Sequence, residues 1–215
     1  ILETIAEMTG NAIHRAQLYS HSEQQVERLM ALRDVDIAIS SSFDLRTTLD
    51  VIIDHVVNQL RVDAARILLY NPFTQTLDLS VGRGFRAIHK KDLHQGISQS
   101  LAGKAALENR MIVLSDIQEA DFVPDHFRQE DFHSYFNVPL NAKGQIKGVL
   151  EVFMRQTFSP ALDWLEFLNS LGGQTAIAID NAQLFTNLQR SNVELELPYD
   201  TTLEGWGKAP EIRDQ

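Results

Sequence analysis

The stretch that most constrains the fold is residues 134–153, in which two apolar runs flank a short polar segment. The polar segment contains Gly144, which is free to adopt the positive φ that a short hairpin loop usually needs. The stretch therefore predicts a β-hairpin. Its second run, residues 146–153, is almost continuously apolar, which is typical of a central strand covered on both faces. The rest of the chain must then supply what covers the hairpin.

Periodic patterns on either side predict those covering elements. Apolar residues at helical spacing predict a helix over about 45–60, with Asp44 as its N-cap. Residues 64–82 predict a second hairpin, because a buried run is followed by a turn at Pro72 and then by alternating apolar and polar residues. A short helix, a short strand and a long closing helix are predicted over about residues 99–109, 111–114 and 160–196.

The first 42 residues contain no proline and carry apolar residues about every three or four positions, which predicts one long helix or two nearly collinear ones. Residues 1–20 also match residues 167–186, with identical residues at Ala12 and Ala178 and at Ile13 and Ile179. Two similar amphipathic helices would explain the match. The sharper interpretation is that residues 1–20 are the last helix of a preceding copy of the same domain.

Composition excludes several classes of function. The 215 residues include no cysteine, which excludes disulfides, thiolate metal sites and cysteine nucleophiles. The formal net charge of −10 argues against nucleic acid or an anionic membrane as the main partner. The sequence shows neither a signal peptide nor an apolar run approaching the roughly 20 residues that span a bilayer. We therefore expect a soluble, cytoplasmic fragment of a longer protein.

The order of these elements resembles that of a GAF domain, and the sequences at 49–72, 100–117, 134–153 and 176–185 resemble it in detail. The resemblance covers about residues 44–187. It implies an α+β fold, with an antiparallel sheet of five or six strands, helices on both faces and long N- and C-terminal helices. One face and the segment 84–133 would enclose a small-molecule pocket, whose ligand or cofactor the family does not specify.

On this basis the chain divides into a linker or signalling helix at 1–43, a GAF domain at 44–187 and a C-terminal helix and linker at 188–215. Residues 198–214 resemble the segment that leads into an HD-GYP phosphodiesterase domain, although Pro198 and Pro210 depart from that pattern. The catalytic residues of such a domain would lie beyond Gln215. No catalytic residue is predicted in this chain.

The resemblance implies that one set of residues lines the pocket by position in the fold. These are Arg83, Phe85, Ile97, Asp116, Phe122, Phe132, Tyr135 and Glu151.

Other candidate chemistry is weaker. Residues 82–87 fit a GxGxxA pattern but are not followed by the helix and acidic residue of a dinucleotide site. The acidic residues and histidines of 121–133 match no metal-ligand spacing, so no metal site is predicted. Within the GAF family, methionine sulfoxide reductases and bilin-binding domains require cysteine, which this chain lacks.

The predicted function is a non-catalytic, small-molecule-sensing GAF domain of a bacterial-type signal-transduction protein. It would act as a homodimer through residues 1–42 and 160–196 and control a downstream effector, for which an HD-GYP cyclic-di-GMP phosphodiesterase is one candidate. Two alternatives stay open. One is a structural dimerisation spacer that binds no ligand. The other is a cyclic-nucleotide-binding GAF domain, whose Asn/Lys, Phe and Asp/Glu signature has no clear counterpart here.

Overall fold

The computed structural model describes residues 44–87, 93–98, 100–117 and 125–206. They form one antiparallel sheet of six strands in the order β3-β2-β1-β6-β5-β4. The strands are β1 (Ala64–Asn71), β2 (Thr76–Arg83), β3 (His94–Gly96), β4 (Ile112–Leu114), β5 (Ser134–Ala142) and β6 (Gln145–Met154). The helices are α1 (Leu45–Leu60), α2 (Leu101–Glu108), α3 (Asp125–Gln129) and α4 (Leu162–Trp206).

The predicted hairpin is confirmed and lies at the centre of the sheet. Strand β6 pairs with β5 on one side and with β1 on the other, and eight of its ten residues are buried. The loop consists of Lys143 and Gly144, with φ values of 52° and 75°. Positive φ at both loop residues is typical of the type I′ turn, whose twist matches that of the two strands.

Helices α1 and α4 cover one face of the sheet, which we call the helix face. Leu49, Ile53 and Val56 of α1 are fully buried there, and so are Leu168 and Leu171 of α4. Asp44 caps α1 as predicted, because its carboxylate accepts a hydrogen bond from the backbone N–H of Arg46. The main apolar core therefore lies between the sheet and these two helices.

Helices α2 and α3 lie against the opposite face, which we call the site face. Ala102 and Ala106 of α2 pack on Leu68 and Val149, and Phe127 of α3 packs on Phe153. Ser100 caps α2 by accepting a hydrogen bond from the backbone N–H of Gly103. The site face is thus covered by short helices and connecting segments rather than by long helices.

Gly103 allows α2 to lie close to Ile97, the residue that follows β3, because glycine has no side chain. A Cβ atom at this position would lie 1.6 Å from the carbonyl oxygen of Ile97. We expect Gly103→Ala to lower the free energy of unfolding by about 1–3 kcal/mol, because backbone must move to admit the methyl group. Gly173→Ala is the control, since nothing lies within 4 Å of its Cβ position and helix propensity favours alanine. Urea unfolding in which both variants match wild type would contradict the close approach.

Helix α4 begins at Leu162, not at the predicted Pro160, and it continues past Pro198 to Trp206 rather than ending near Glu196. A proline inside a helix removes one backbone hydrogen bond and bends the axis without necessarily ending the helix. No helix within the described ranges is both long and apolar enough to cross a membrane. The predicted helix over 1–42 and its match to a preceding copy lie outside the described residues, as does the tail from 207.

Two bulges reverse which residues point to which face. In β2, Ser80 is the extra residue, because Ile67 pairs with Val81 and Leu68 pairs with Leu79. In β6, Lys147 is the extra residue between the pairs Leu140–Gly148 and Asn141–Ile146. As a result Val81 and Arg83 point toward α1, and Lys147 points toward α4.

Candidate functional site

A buried polar layer crosses the middle of the site face. It consists of Arg66 on β1, Glu151 on β6, and Tyr135 and Asn137 on β5. All four residues are at most 2% exposed. Apolar side chains lie on both sides of the layer, one cluster around Phe153 and the other around Leu68 and Val149. Charged groups this deep in a small domain are uncommon unless they are paired.

Arg66 and Glu151 form an ion pair across two central strands. They stand directly opposite each other in the antiparallel register of β1 and β6, so their side chains leave the sheet on the same side. The Arg66 Nε donates to the Glu151 Oε2 over 2.5 Å. Because both side chains are removed from water, the guanidinium compensates the buried charge of the Glu151 carboxylate.

Tyr135 and Asn137 extend the pair into a chain of hydrogen bonds. The Tyr135 hydroxyl donates to Glu151 Oε1 over 2.7 Å and accepts from Asn137 Nδ2 over 2.6 Å. Burial, together with the Glu151 carboxylate, raises the pKa of Tyr135 well above its ordinary value, so the hydroxyl stays protonated. The Asn137 Oδ1 has no hydrogen-bond partner among the described residues. It is the one acceptor in the layer that is available to a donor from elsewhere.

Four phenylalanine rings cover one side of the layer. Phe153 lies at their centre, 5.4 Å from the ring of Phe85, 4.9 Å from that of Phe127 and 4.7 Å from that of Phe132. The Arg66 guanidinium carbon lies 5.5–5.8 Å from the ring centroids of Phe153, Phe85 and Phe127. These distances are within the range of cation–π attraction. Arg66 is therefore held by a carboxylate and by three aromatic rings.

A second buried carboxylate fastens the cover of the site. Glu130, 3% exposed, follows α3 and accepts hydrogen bonds from the backbone N–H groups of Arg86 and Ala87, at 2.9 and 2.8 Å. It also accepts from Arg155, whose guanidinium lies 5.1 Å from the ring centroid of Phe132. The segment after Gly84 and the segment after α3 are thereby tied together above the rings.

These bonds make the stability contributed by Glu130 dependent on pH. Burial disfavours the charged form, but the two backbone N–H groups and Arg155 outweigh it and lower the pKa of Glu130. A lowered pKa in the folded state contributes stability that is fully present above the unfolded pKa, near 4.5, and is lost as the pH falls through the folded value. We expect Glu130→Gln to lower the free energy of unfolding by about 1–3 kcal/mol at pH 7, and by progressively less below about pH 4.

Urea unfolding at a series of pH values measures this effect. Glu166→Gln is the control, because Glu166 is exposed on α4. A loss of stability in Glu130→Gln that is the same at pH 3 and pH 7 would contradict the assignment.

A concavity lies outside the polar layer, bordered by both hairpin turns, the start of α1 and the middle of α4. It is an open groove of about 900 Å³. Its lining includes Leu45, Tyr70, Phe73, Ile146, Gln183 and Thr186. Beside it, Asp180 of α4 forms ion pairs with Lys147 at 2.7 Å and with Lys143 at 2.9 Å, and these bonds lower the pKa of Asp180. We call these three residues the α4 clamp.

The structure brings four of the predicted pocket residues together and separates others. Phe85, Phe132, Tyr135 and Glu151 all belong to the polar layer or its ring cover. Ile97 lies in the neighbouring apolar cluster with Leu68 and Val149. Asp116 is partly buried beside Ile117, which packs in the ring cluster.

Two predicted pocket residues do not join this site. Arg83 lies on the helix face, where its guanidinium pairs with Asp50 at 2.7 Å and with Asp54 at 2.8 Å. Phe122 lies outside the described residues. Three residues of the site, Arg66, Asn137 and Phe153, were not among the predicted pocket residues. A signal for Arg66 was present, because it is a charged residue inside an otherwise apolar central strand.

Within the parts of the chain that the structure describes, no three His, Asp or Glu side chains are grouped so that they could hold a metal ion. In the polar layer, Arg66 and Tyr135 already occupy the two oxygens of the Glu151 carboxylate. The Asn137 Oδ1 is therefore the acceptor of the layer that remains for a further donor.

Comparison with known proteins gives a consistent result. The sequence model of one family, described as GAF domain, matches residues 43–180. No curated protein gives a significant match. Among solved structures, the GAF domain of a phosphoenolpyruvate-protein phosphotransferase from Acinetobacter is 22% identical, with a TM-score of 0.63 over 75% of this chain and 98% of that one. At that identity the likeness concerns the fold alone.

Two further structures are informative. The GAF domain of a two-component sensor histidine kinase from Bacillus halodurans is 27% identical, with a TM-score of 0.54 over 64% of this chain and 97% of that one. The free methionine-R-sulfoxide reductase from Neisseria meningitidis is 14% identical, with a TM-score of 0.64 over 73% of this chain and 90% of that one. The same fold therefore occurs both as a domain of a sensor kinase and in a reductase.

Proposed function

Because the chain belongs to the GAF domain family, we propose that it is a non-catalytic regulatory module that senses a small molecule. The observation that carries this proposal is the buried polar layer of Arg66, Glu151, Tyr135 and Asn137. A core built only for stability gains little from a buried ion pair, since apolar side chains of similar volume are often as good or better. The unsatisfied Asn137 Oδ1 adds a free acceptor at the same place.

The proposed output is carried by α4. Ile177, Leu184 and Leu188 are 55%, 46% and 64% exposed and follow one another at helical spacing. An exposed apolar stripe on a long helix favours association with another helix. We propose that the chain forms a homodimer through residues 1–42 and 160–196, to which this stripe contributes. We also propose that a downstream effector receives the signal. The likeness to a GAF domain of a sensor histidine kinase supports the regulatory context, and an HD-GYP phosphodiesterase is the effector we favour.

A ligand screen tests the sensing function. The purified chain is examined by native mass spectrometry for a co-purified molecule and then by thermal shift against nucleotides, cyclic nucleotides and small metabolites. A compound that binds only the folded state stabilises it by RT ln(1 + [L]/Kd), so the unfolding midpoint rises with the logarithm of its concentration once that exceeds Kd. We expect Asn137→Ala to abolish the rise. The control is Asn169→Ala, which removes an exposed amide of α4 and is expected to keep the rise.

The alternative function is a structural spacer that binds no ligand. It is favoured by the filling of the site face, where Phe127 and Phe132 are 3% and 2% exposed and Tyr135 is fully buried. A dimer in light scattering that no compound stabilises would favour the spacer. A wild-type monomer at micromolar concentration would contradict the proposed dimer in either case. Substitution of Leu184 and Leu188 by lysine is expected to convert the wild-type dimer into a monomer.

A further inference from the structure

We propose that Arg66 is an internal ligand, and that the groups around it form a cation cage specific for a guanidinium or amidinium group. We call this cage, formed by Glu151, Phe85, Phe127 and Phe153, the Arg66 cage. It is defined by the chain's own residues, so its test does not depend on whether the module senses anything. The ligand class follows from what the cage already holds.

The carboxylate of the cage is held in place without help from Arg66. Glu151 Oε1 accepts from the Tyr135 hydroxyl, which in turn accepts from Asn137 Nδ2. Glu151 is 1% exposed and lies on β6, which is hydrogen-bonded to a strand on each side. Its other oxygen, Oε2, accepts the hydrogen bond from Arg66 Nε. Removing the arginine therefore leaves a fixed acceptor for a charged N–H donor.

The aromatic walls also support one another. Phe153 meets Phe85 and Phe127 edge to face, at 5.4 and 4.9 Å between centroids. Such contacts persist when a central side chain is shortened, because each ring still packs on its neighbours. The walls select a planar, weakly hydrated cation such as guanidinium over a compact, strongly hydrated ammonium.

Truncation of Arg66 defines the shape of an external ligand. Beyond Cβ, the arginine side chain is an ethylguanidinium group, so Arg66→Ala leaves a cavity with that outline. The cavity would contain one buried carboxylate without its cation, which is a costly state. Ethylguanidinium would restore the charge balance, the bond to Glu151 Oε2 and the ring contacts at once.

In the wild-type chain the tethered arginine competes with any such compound. An attached group acts at an effective concentration of millimolar or more, so a free guanidinium or amidinium compound binds only when Arg66 leaves the cage. The cage is therefore closed to weak cationic ligands at rest. Only a ligand that also gains contacts elsewhere on the site face could displace the arginine.

The test is rescue of Arg66→Ala by ethylguanidinium, followed through the thermal unfolding midpoint. We expect millimolar ethylguanidinium to raise the midpoint of this variant by several degrees and to leave that of wild type unchanged or slightly lower. Ethylammonium and sodium chloride at equal ionic strength are expected to have no such effect. The double variant Arg66→Ala with Glu151→Gln is expected to lose most of the rise, because the acceptor is no longer charged.

A rise that ethylammonium or salt reproduces, or no rise at all, would overturn the cage. If Arg66→Ala does not fold alone, the same compounds are added during refolding by dilution from urea; recovery with ethylguanidinium alone supports the cage, and no recovery overturns it. Arg66→Met fills the space without a charge and is expected not to respond. These results leave the ligand screen on wild type unaffected, so the cage and the sensing function fail separately.

Discussion

Replacing Glu151 by leucine is expected to lower the free energy of unfolding by about 3–5 kcal/mol. The substitution leaves the Arg66 guanidinium in the interior, 2% exposed, without the carboxylate that faces it. It also removes the acceptor of the Tyr135 hydroxyl, which is fully buried. Urea unfolding followed by far-UV circular dichroism measures the loss.

The double variant Arg66→Met with Glu151→Leu distinguishes a charge effect from a packing effect. Removing both charges is expected to recover most of the stability lost in Glu151→Leu, because a buried ion pair is often replaceable by apolar side chains. Asp54→Leu is the comparison at an exposed ion pair, and its expected cost is below about 1 kcal/mol. A double variant as unstable as the sum of its two single variants would contradict the pairing.

Phe153→Ala is the second change with a large expected effect, a loss of about 3–5 kcal/mol in the free energy of unfolding. The ring is fully buried and contacts the rings of Phe85, Phe127, Phe132 and Tyr135 at centroid distances of 4.7–5.4 Å. Its removal leaves a cavity at the centre of the ring cluster, and the strands on both sides prevent collapse. Differential scanning calorimetry measures the loss.

Phe73→Ala is the matched control, because that ring is 96% exposed in the turn between β1 and β2. Its expected effect is within about 0.5 kcal/mol. Equal losses in the two variants would mean that the ring cluster is not a packed unit. A loss confined to Phe153→Ala would locate the stability of the site face in the cluster itself.

The parts of the fold that local patterns specify were predicted well. The central hairpin with its glycine turn, the Asp44 cap and the helix that follows it depend on residues close together in sequence. The short strand β3 was not predicted, since its three residues carry no alternating pattern and it exists only because β2 offers an edge.

The site was predicted only in part, because its geometry depends on strand register. Arg83 was placed in the pocket because of its position in the family fold, at the end of β2. The bulge at Ser80 reverses the alternation, so Leu77 points to the site face while Val81 and Arg83 point to α1. Arg66 and Glu151 face each other through a pairing between strands that are far apart in the chain, which no local pattern reveals.

Because of the bulge at Lys147, this residue points to α4, whereas Glu151 on the same strand points to the site face. Glu151 anchors the polar layer, and Lys147, four positions earlier on β6, holds Asp180 in the α4 clamp. Suppose that a ligand in the site changes the equilibrium constant for formation of the clamp by a certain factor. Breaking the clamp must then change the affinity for that ligand by the same factor, because the coupling between two sites is reciprocal. The coupling between the site and α4 can therefore be measured from the affinity for the ligand in variants with a broken clamp, before any effect of the ligand on α4 is observed.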